Sequence, residues 1–275
     1  MKKILFFAFA LVAGVVAFTS CDKKDGNNPD EPKNPTDVNP ADYVATSWRV
    51  DSSRVDGKLD FMPHLIVDVL DDKVAVFNGS DTVNYLFEGN ILYFAHNGEE
   101  PKANQIPIKQ ANKEFAELFF EDMKATIYMS LIPKAEGAQL PKTAENIVGT
   151  WKCQYYSRRY SQYDEASESF IWYGSKHSDP GVFYYEFKAD GTFTSTNIVF
   201  AKMDEQKEYA VNNGFWAVKN GKFAWAMTED DLNQMAEANW DNILTLTSNA
   251  FYFGSTTQSW TGTTQEFYTY YTRVK

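Results

Sequence analysis

The sequence predicts an all-β protein divided into two tandem strand-rich units. Three observations carry this. Apolar residues alternate with polar ones in short runs, as in Leu65, Val67 and Val69 and in Val83, Tyr85 and Phe87. Turn signals separate the runs, among them Asn78-Gly79, Asp190-Gly191 and Asn220-Gly221. Aromatic residues make up 16% of the chain, which suits β-structure.

The chain opens on a targeting segment. Lys2 and Lys3 give a basic start, and residues 4–18 are almost wholly apolar. That run is shorter than the roughly 20 residues that span a bilayer comfortably. It ends in Phe18-Thr19-Ser20-Cys21, with Asp22, Lys23, Lys24 and Asp25 directly behind. A plain secretory leader would end at a small-residue cleavage site. Small residues and then a cysteine resemble instead the lipobox of bacterial lipoproteins, departing from it at Phe18, where that family usually has Leu. The resemblance implies that Cys21 is acylated, palmitate included, and begins the mature chain. It implies a lipid-anchored place in the bacterial cell envelope, on the outer membrane, facing either the periplasm or the outside. Each buried CH₂ contributes about 0.8 kcal/mol, and durable anchoring takes more than one acyl chain.

Residues 22–41 are rich in Asp, Lys, Asn and Pro, with no recurring apolar position. Such a stretch cannot build a core to offset the entropy of ordering. It reads as a tether holding the body about 25–60 Å from the membrane. Losing Lys2 and Lys3 with the leader leaves 24 basic against 37 acidic residues and takes the net charge from −11 to −13. That balance excludes nucleic acid as a partner, since phosphate backbones call for basic patches.

Residues 42–132 carry about eight short strand signals, the pattern of a meander, barrel or sandwich. Leu65, Val67, Tyr85, Phe87, Phe115, Phe119 and Met129 are the expected inward set, with Phe115, Glu117 and Phe119 lying opposite Ile127, Met129 and Leu131. Residues 133–145 are polar and small, and the expected domain boundary falls there. The unit 146–275 begins with Trp151, Cys153 and Tyr155, expected on one strand face. Residues 156–180 depart from simple alternation and read as a loop excursion. Thr228, with Glu229, Asp230 and Asp231 behind it, marks the start of a short helix. About eight strands are expected here too. Trp48 and Trp151 each open their unit, which points to an internal duplication.

Gly149-Thr150-Trp151 matches the Gly-x-Trp on the first strand of lipocalins and related calycin barrels. Arg273 stands where that family has a basic residue packing over the Trp. Phe187-Lys188-Ala189-Asp190-Gly191-Thr192-Phe193 and Gly214-Phe215-Trp216-Ala217-Val218-Lys219-Asn220-Gly221 resemble short bacterial lipocalin-like domains. The resemblance covers 146–275; in the first unit Thr46 replaces the glycine and strand order carries the likeness. It implies two tandem small antiparallel β-barrels of about eight strands each, in meander order, with a short helix in the second. It gives Trp48, Trp151 and Arg273 structural roles at the closed ends. It implies a small apolar ligand in a barrel mouth, expected in the second barrel because the first would be filled by its own side chains.

Catalytic chemistry is not written in this chain. No His-Glu-x-x-His, phosphate loop, Gly-x-Ser-x-Gly or calcium-loop pattern occurs. His64, His96 and His177 are scattered, so neither metal nor cofactor is expected. Cys153 is the sole cysteine beyond Cys21 and reads as a small buried hydrophobe. The candidate contact residues are Tyr160, Trp172 and Tyr173 in the 156–180 stretch and Trp260 in the 255–264 stretch. Two uses compete with capping a barrel end. These aromatics could line a ligand site, or form a surface that grips a glycan or protein.

Overall fold

The computed structural model describes residues 40–55, 58–60, 65–79, 81–88, 91–96, 104–111, 115–120, 124–177, 182–202, 205–259 and 262–274. Cys21, the leader, most of the tether, His64 and Trp260 lie outside them, as do the side chains of His96 and His177. The first unit holds β1 (Thr46–Val55), β2 (Lys58–Asp60), β3 (Ile66–Val69), β4 (Val74–Phe77) and β5 (Asp81–Glu88). It continues with β6 (Ile91–His96), β7 (Asn104–Ala111), β8 (Phe115–Phe120) and β9 (Ala125–Leu131). A four-residue helix, α1 (Ala144–Ile147), precedes the second unit.

That unit holds β10 (Gly149–Asp164), β11 (Ser169–His177), β12 (Val182–Phe187), β13 (Thr192–Lys202), β14 (Glu205–Lys219) and β15 (Lys222–Ala226). Helix α2 (Glu229–Gln234) interrupts it before β16 (Asp241–Leu246), β17 (Ala250–Gln258) and β18 (Thr264–Arg273). The all-β class and meander order are as expected. Both units form nine-stranded antiparallel sheets with one shared design. The first strand pairs with the third and the last, and carries the second as a side arm.

The two sheets differ in closure. β1 and β3 to β9 complete an eight-stranded barrel, with β2 outside the ring. The second sheet traces the same circuit but curls around a thin seam. β15 and β16 share only two register pairs, Lys222–Asn242 and Phe223–Asp241. A pair of closed barrels was the expectation; one closed barrel and one curled sheet is the outcome. The cause is local: the chain leaves at Ala226 for α2 and returns only at Asp241, so little ladder remains to join the two edges. Thr228 caps α2 as the sequence implied, its Oγ1 accepting from Asp231 N at 3.1 Å. Leu232 packs the helix onto Ala224 and Ala226, outside the sheet.

Two facing assignments read from alternation are overturned. In β8, Ala116 is buried in the first core with Leu118 and Phe120 against it, so Phe115 and Phe119 take the opposite face. Register agrees: Ala116 lies opposite Met129 and Leu118 opposite Ile127. In β10 a bulge falls between Cys153 and Tyr155. One extra residue reverses the facing of every later position in the strand. Trp151 and Cys153 belong to the inner core. Tyr155 instead points outward and stacks on Tyr270 at 5.3 Å. Cys153 is half-buried, not fully buried.

That outward face is where the sheets meet. Ile66 and Ile132 of the first unit bury against Ala250 and Tyr270 of the second. Lys176 Nζ donates to Asp68 Oδ1 at 2.6 Å and lies 4.2 Å over the Tyr155 ring. Tyr270 Oη donates to Pro133 O at 2.8 Å, and Arg49 Nη1 to Gln154 Oε1 at 3.4 Å. Among the described residues no helix is long and apolar enough to cross a membrane.

Gly254 shows how tightly β17 and β18 are layered. A Cβ there would lie 2.2 Å from Phe267 O and 2.3 Å from Tyr268 Cδ1. Backbone must shift to admit it, so Gly254→Ala is expected to cost about 1–3 kcal/mol. A urea melt checks this; an unchanged midpoint would contradict the layering.

Candidate functional site

The second sheet has a closed end and an open one. At the closed end Trp151 is fully buried, its indole N–H donating to Ile147 O at 2.7 Å. The Arg273 guanidinium lies 4.2 Å over the ring. It also donates to Ser248 O at 2.9 Å, Val148 O at 3.0 Å and Asn146 O at 2.8 Å. Gly149 makes room for this clasp: a Cβ there would sit 2.5 Å from Arg273 Nη1, at a φ of +135° that disfavours any side chain. In the first sheet Trp48 is likewise buried, with Tyr43 at 5.5 Å.

Above Trp151 the interior is a packed aromatic floor. Phe187, Phe193, Trp216, Phe223, Phe251, Phe253 and Tyr271 are all buried together. Ring centroids stand as close as 4.8 Å, for Phe223 with Phe253 and for Phe251 with Phe253. Close-packed side chains leave a small barrel no room at this level for a ligand.

Toward the open end the sheet outgrows its core. Of the stretch 156–180 that reads as a loop in sequence, 156–177 is a long hairpin: β10 and β11 pair continuously from Tyr156–His177 to Asp164–Ser169, and 178–180 lie outside the described residues. Likewise 255–258 belongs to β17 and only the residues beyond it turn. Thr264 N donates to Ser161 Oγ at 2.8 Å, tying that turn to the arm. Counting faces from Trp151 across the bulge puts Tyr156, Arg158, Tyr160 and Gln162 on the concave side. Arg159, Ser161 and Tyr163 then face outward. Directly paired residues share a face. Tyr173, opposite Tyr160, and Ile171, opposite Gln162, are therefore concave, while Trp172, opposite Ser161, is on the outer side.

The expected contact residues are thus split. Tyr160 and Tyr173 stack at 5.6 Å on the concave face, 42% and 45% exposed. Trp172 lies on the outer face with Arg159 4.8 Å over its ring, and Arg159 is 3.7 Å from Glu266. Tyr163 and Phe170 meet edge-on at 5.4 Å on that same outer face.

Two concave residues escape the sequence reading. Trp225 pairs with buried Trp216 across the Asn220-Gly221 turn, so it faces inward, yet it is 43% exposed. Phe267 shares the inward register of Thr269, Tyr271 and Arg273 and is 41% exposed. Either could have been found by counting back in twos, from the turn and from Arg273.

A polar band lies between floor and rim. Ser195 and Thr269 are buried and face inward. Asp241, opposite inward Phe223, opens β16. Burial pushes its carboxyl above the ordinary value, and a hydrogen bond from Ser255 opposes that rise. Asn197 Oδ1 is buried and has no hydrogen-bond partner among the described residues. Among the described residues no group of three His, Cys, Asp or Glu side chains could hold a metal.

No family model matches the chain, and no curated protein does. Among solved structures it is similar to the crystal structure of a protein of unknown function of the DUF3598 family from Nostoc punctiforme PCC 73102. The identity is 8%, the match covers 85% of this chain and 97% of that one, and the TM-score is 0.24. A likeness of that size carries no argument about function.

Proposed function

We propose that this is an envelope lipoprotein, anchored through acylated Cys21, that binds a small, largely apolar, ring-bearing ligand without transforming it. The ligand sits at the open end of the second sheet. One observation carries the reading. Tyr160, Ile171, Tyr173, Trp225 and Phe267 face the concave side and yet are exposed. A sheet that merely folded would bury its concave aromatics; exposed apolar patches mark interaction sites. The packed floor leaves no room for a ligand sunk deeper, which favours a place against the rim.

The test is a fluorescence titration of the full chain with N-phenyl-1-naphthylamine. Saturable binding is expected. The double variant Tyr160→Ala/Tyr173→Ala is expected to weaken it about tenfold or more, since truncating aromatic anchors typically costs over 1 kcal/mol. Absence of binding, or a double variant equal to the parent, would overturn the reading.

A second reading rests on the outer face. Arg159 over Trp172, with Tyr163 and Phe170 exposed beside them, forms a flat aromatic surface suited to a glycan or a protein partner. Trp172→Ala separates the two: it should leave naphthylamine binding intact and abolish an outer-face interaction. Mass spectrometry of the N-terminal peptide checks the anchor, with acyl mass on Cys21 expected.

A further inference from the structure

We infer that the ligand of this open end carries a protonated amine, received by Asp241 on the concave side. The inference rests on the apolar-ligand reading and adds the chemical class of the ligand. Two inward-facing acceptors point to it. Asp241 faces inward opposite Phe223, is half-buried, and has no ion-pair partner among the described residues. Asn197, also concave, holds a buried side-chain oxygen to which nothing donates among the described residues. Buried acceptors without donors are rare in folded proteins and costly to keep. A ligand presenting a charged N–H donor would give the Asp241 carboxylate the ion pair it lacks, and the concave side offers the Asn197 oxygen as a further acceptor.

The rim strengthens the choice of a cation. Tyr160, Tyr173, Trp225 and Phe267 offer ring faces, which attract ammonium groups. The opposing feature is Arg158, on the same concave side. It is exposed at the arm, where water screens it, whereas Asp241 is half-buried. The less screened charge reads the head group.

Isothermal titration of the full chain with 2-naphthylethylamine and with 2-naphthylacetate tests this. The two probes share a ring and differ in charge. The amine is expected to bind at least about tenfold tighter, as one desolvated charge contact allows. Asp241→Asn is expected to remove that preference, and Arg158→Gln to leave it. Equal binding of the two probes, or tighter binding of the acetate, would overturn the amine inference while leaving the aromatic site standing. If neither naphthalene binds, the site itself is wrong. The comparison on the unaltered chain stands even if Asp241→Asn fails to fold.

Discussion

Trp151→Ala is expected to destabilise the second sheet by about 3–5 kcal/mol, the range for deleting a fully buried large aromatic. Its indole fills the closed end, hydrogen-bonds Ile147 O and touches Phe251 at 5.7 Å. Removing it also strips Arg273 of the ring beneath its guanidinium. For a unit of this size the melting temperature should fall by roughly 10 °C. Trp151→Phe keeps part of the volume but loses the N–H donor, so an intermediate loss is expected. Gly149→Ala should act in the same direction, because its methyl would displace the clasp. A calorimetric melt of the three variants checks the series. A drop under about 1 kcal/mol for Trp151→Ala would mean that the ring is not the plug of that end.

Stability is expected to rise between pH 8 and about 10 and to fall beyond. Lys152 lies on the outer side of β10, where burial, with Arg49 adding repulsion, pushes it down from 10.5 to about 8, against the pull of Asp51. Between those values the unfolded chain holds a proton that the folded chain has released. Stability therefore climbs with pH through that window. The penalty relieved is at most about 3 kcal/mol. Above pH 10 the balance reverses. Burial holds Tyr85 and Tyr270 up to about 12, and raises Tyr155 as well. The unfolded chain loses those protons first, so stability drops. Lys152→Met should flatten the rise and increase stability at pH 7. Urea melts across pH 7–11 give the profile. A parent curve flat from pH 8 to 10 would contradict the buried position of Lys152.

The general architecture was legible because its signals are local. Asp190-Gly191 and Asn220-Gly221 name their turns, Thr228 names its helix, and Trp48 and Trp151 name two copies of one design. What escaped depends on events the sequence does not mark. The bulge after Cys153 inserts one residue with no turn signal, and it sends Tyr155 from the expected core to the contact between the sheets. In β8 the larger side chains suggest the inward face, but a crowded small barrel accommodates Ala116 there. The hairpin of 156–177 reads as a loop because both its faces carry aromatics, which erases alternation. The same doubling makes Tyr160, Trp172 and Tyr173 look like one cluster, when Trp172 belongs to the other face. Asp241 gives no sign in sequence; only the Phe223 pairing turns it inward.

If the concave aromatics at the open end of the second sheet receive the ligand, a bound probe must be found among them. A crystal structure of the full chain soaked with N-phenyl-1-naphthylamine decides this. The naphthalene is expected on the concave face, against the Tyr160–Tyr173 pair. A ring bound to Trp172 and Arg159 on the outer face, or lodged among Phe223, Phe251 and Phe253, would contradict the concave site.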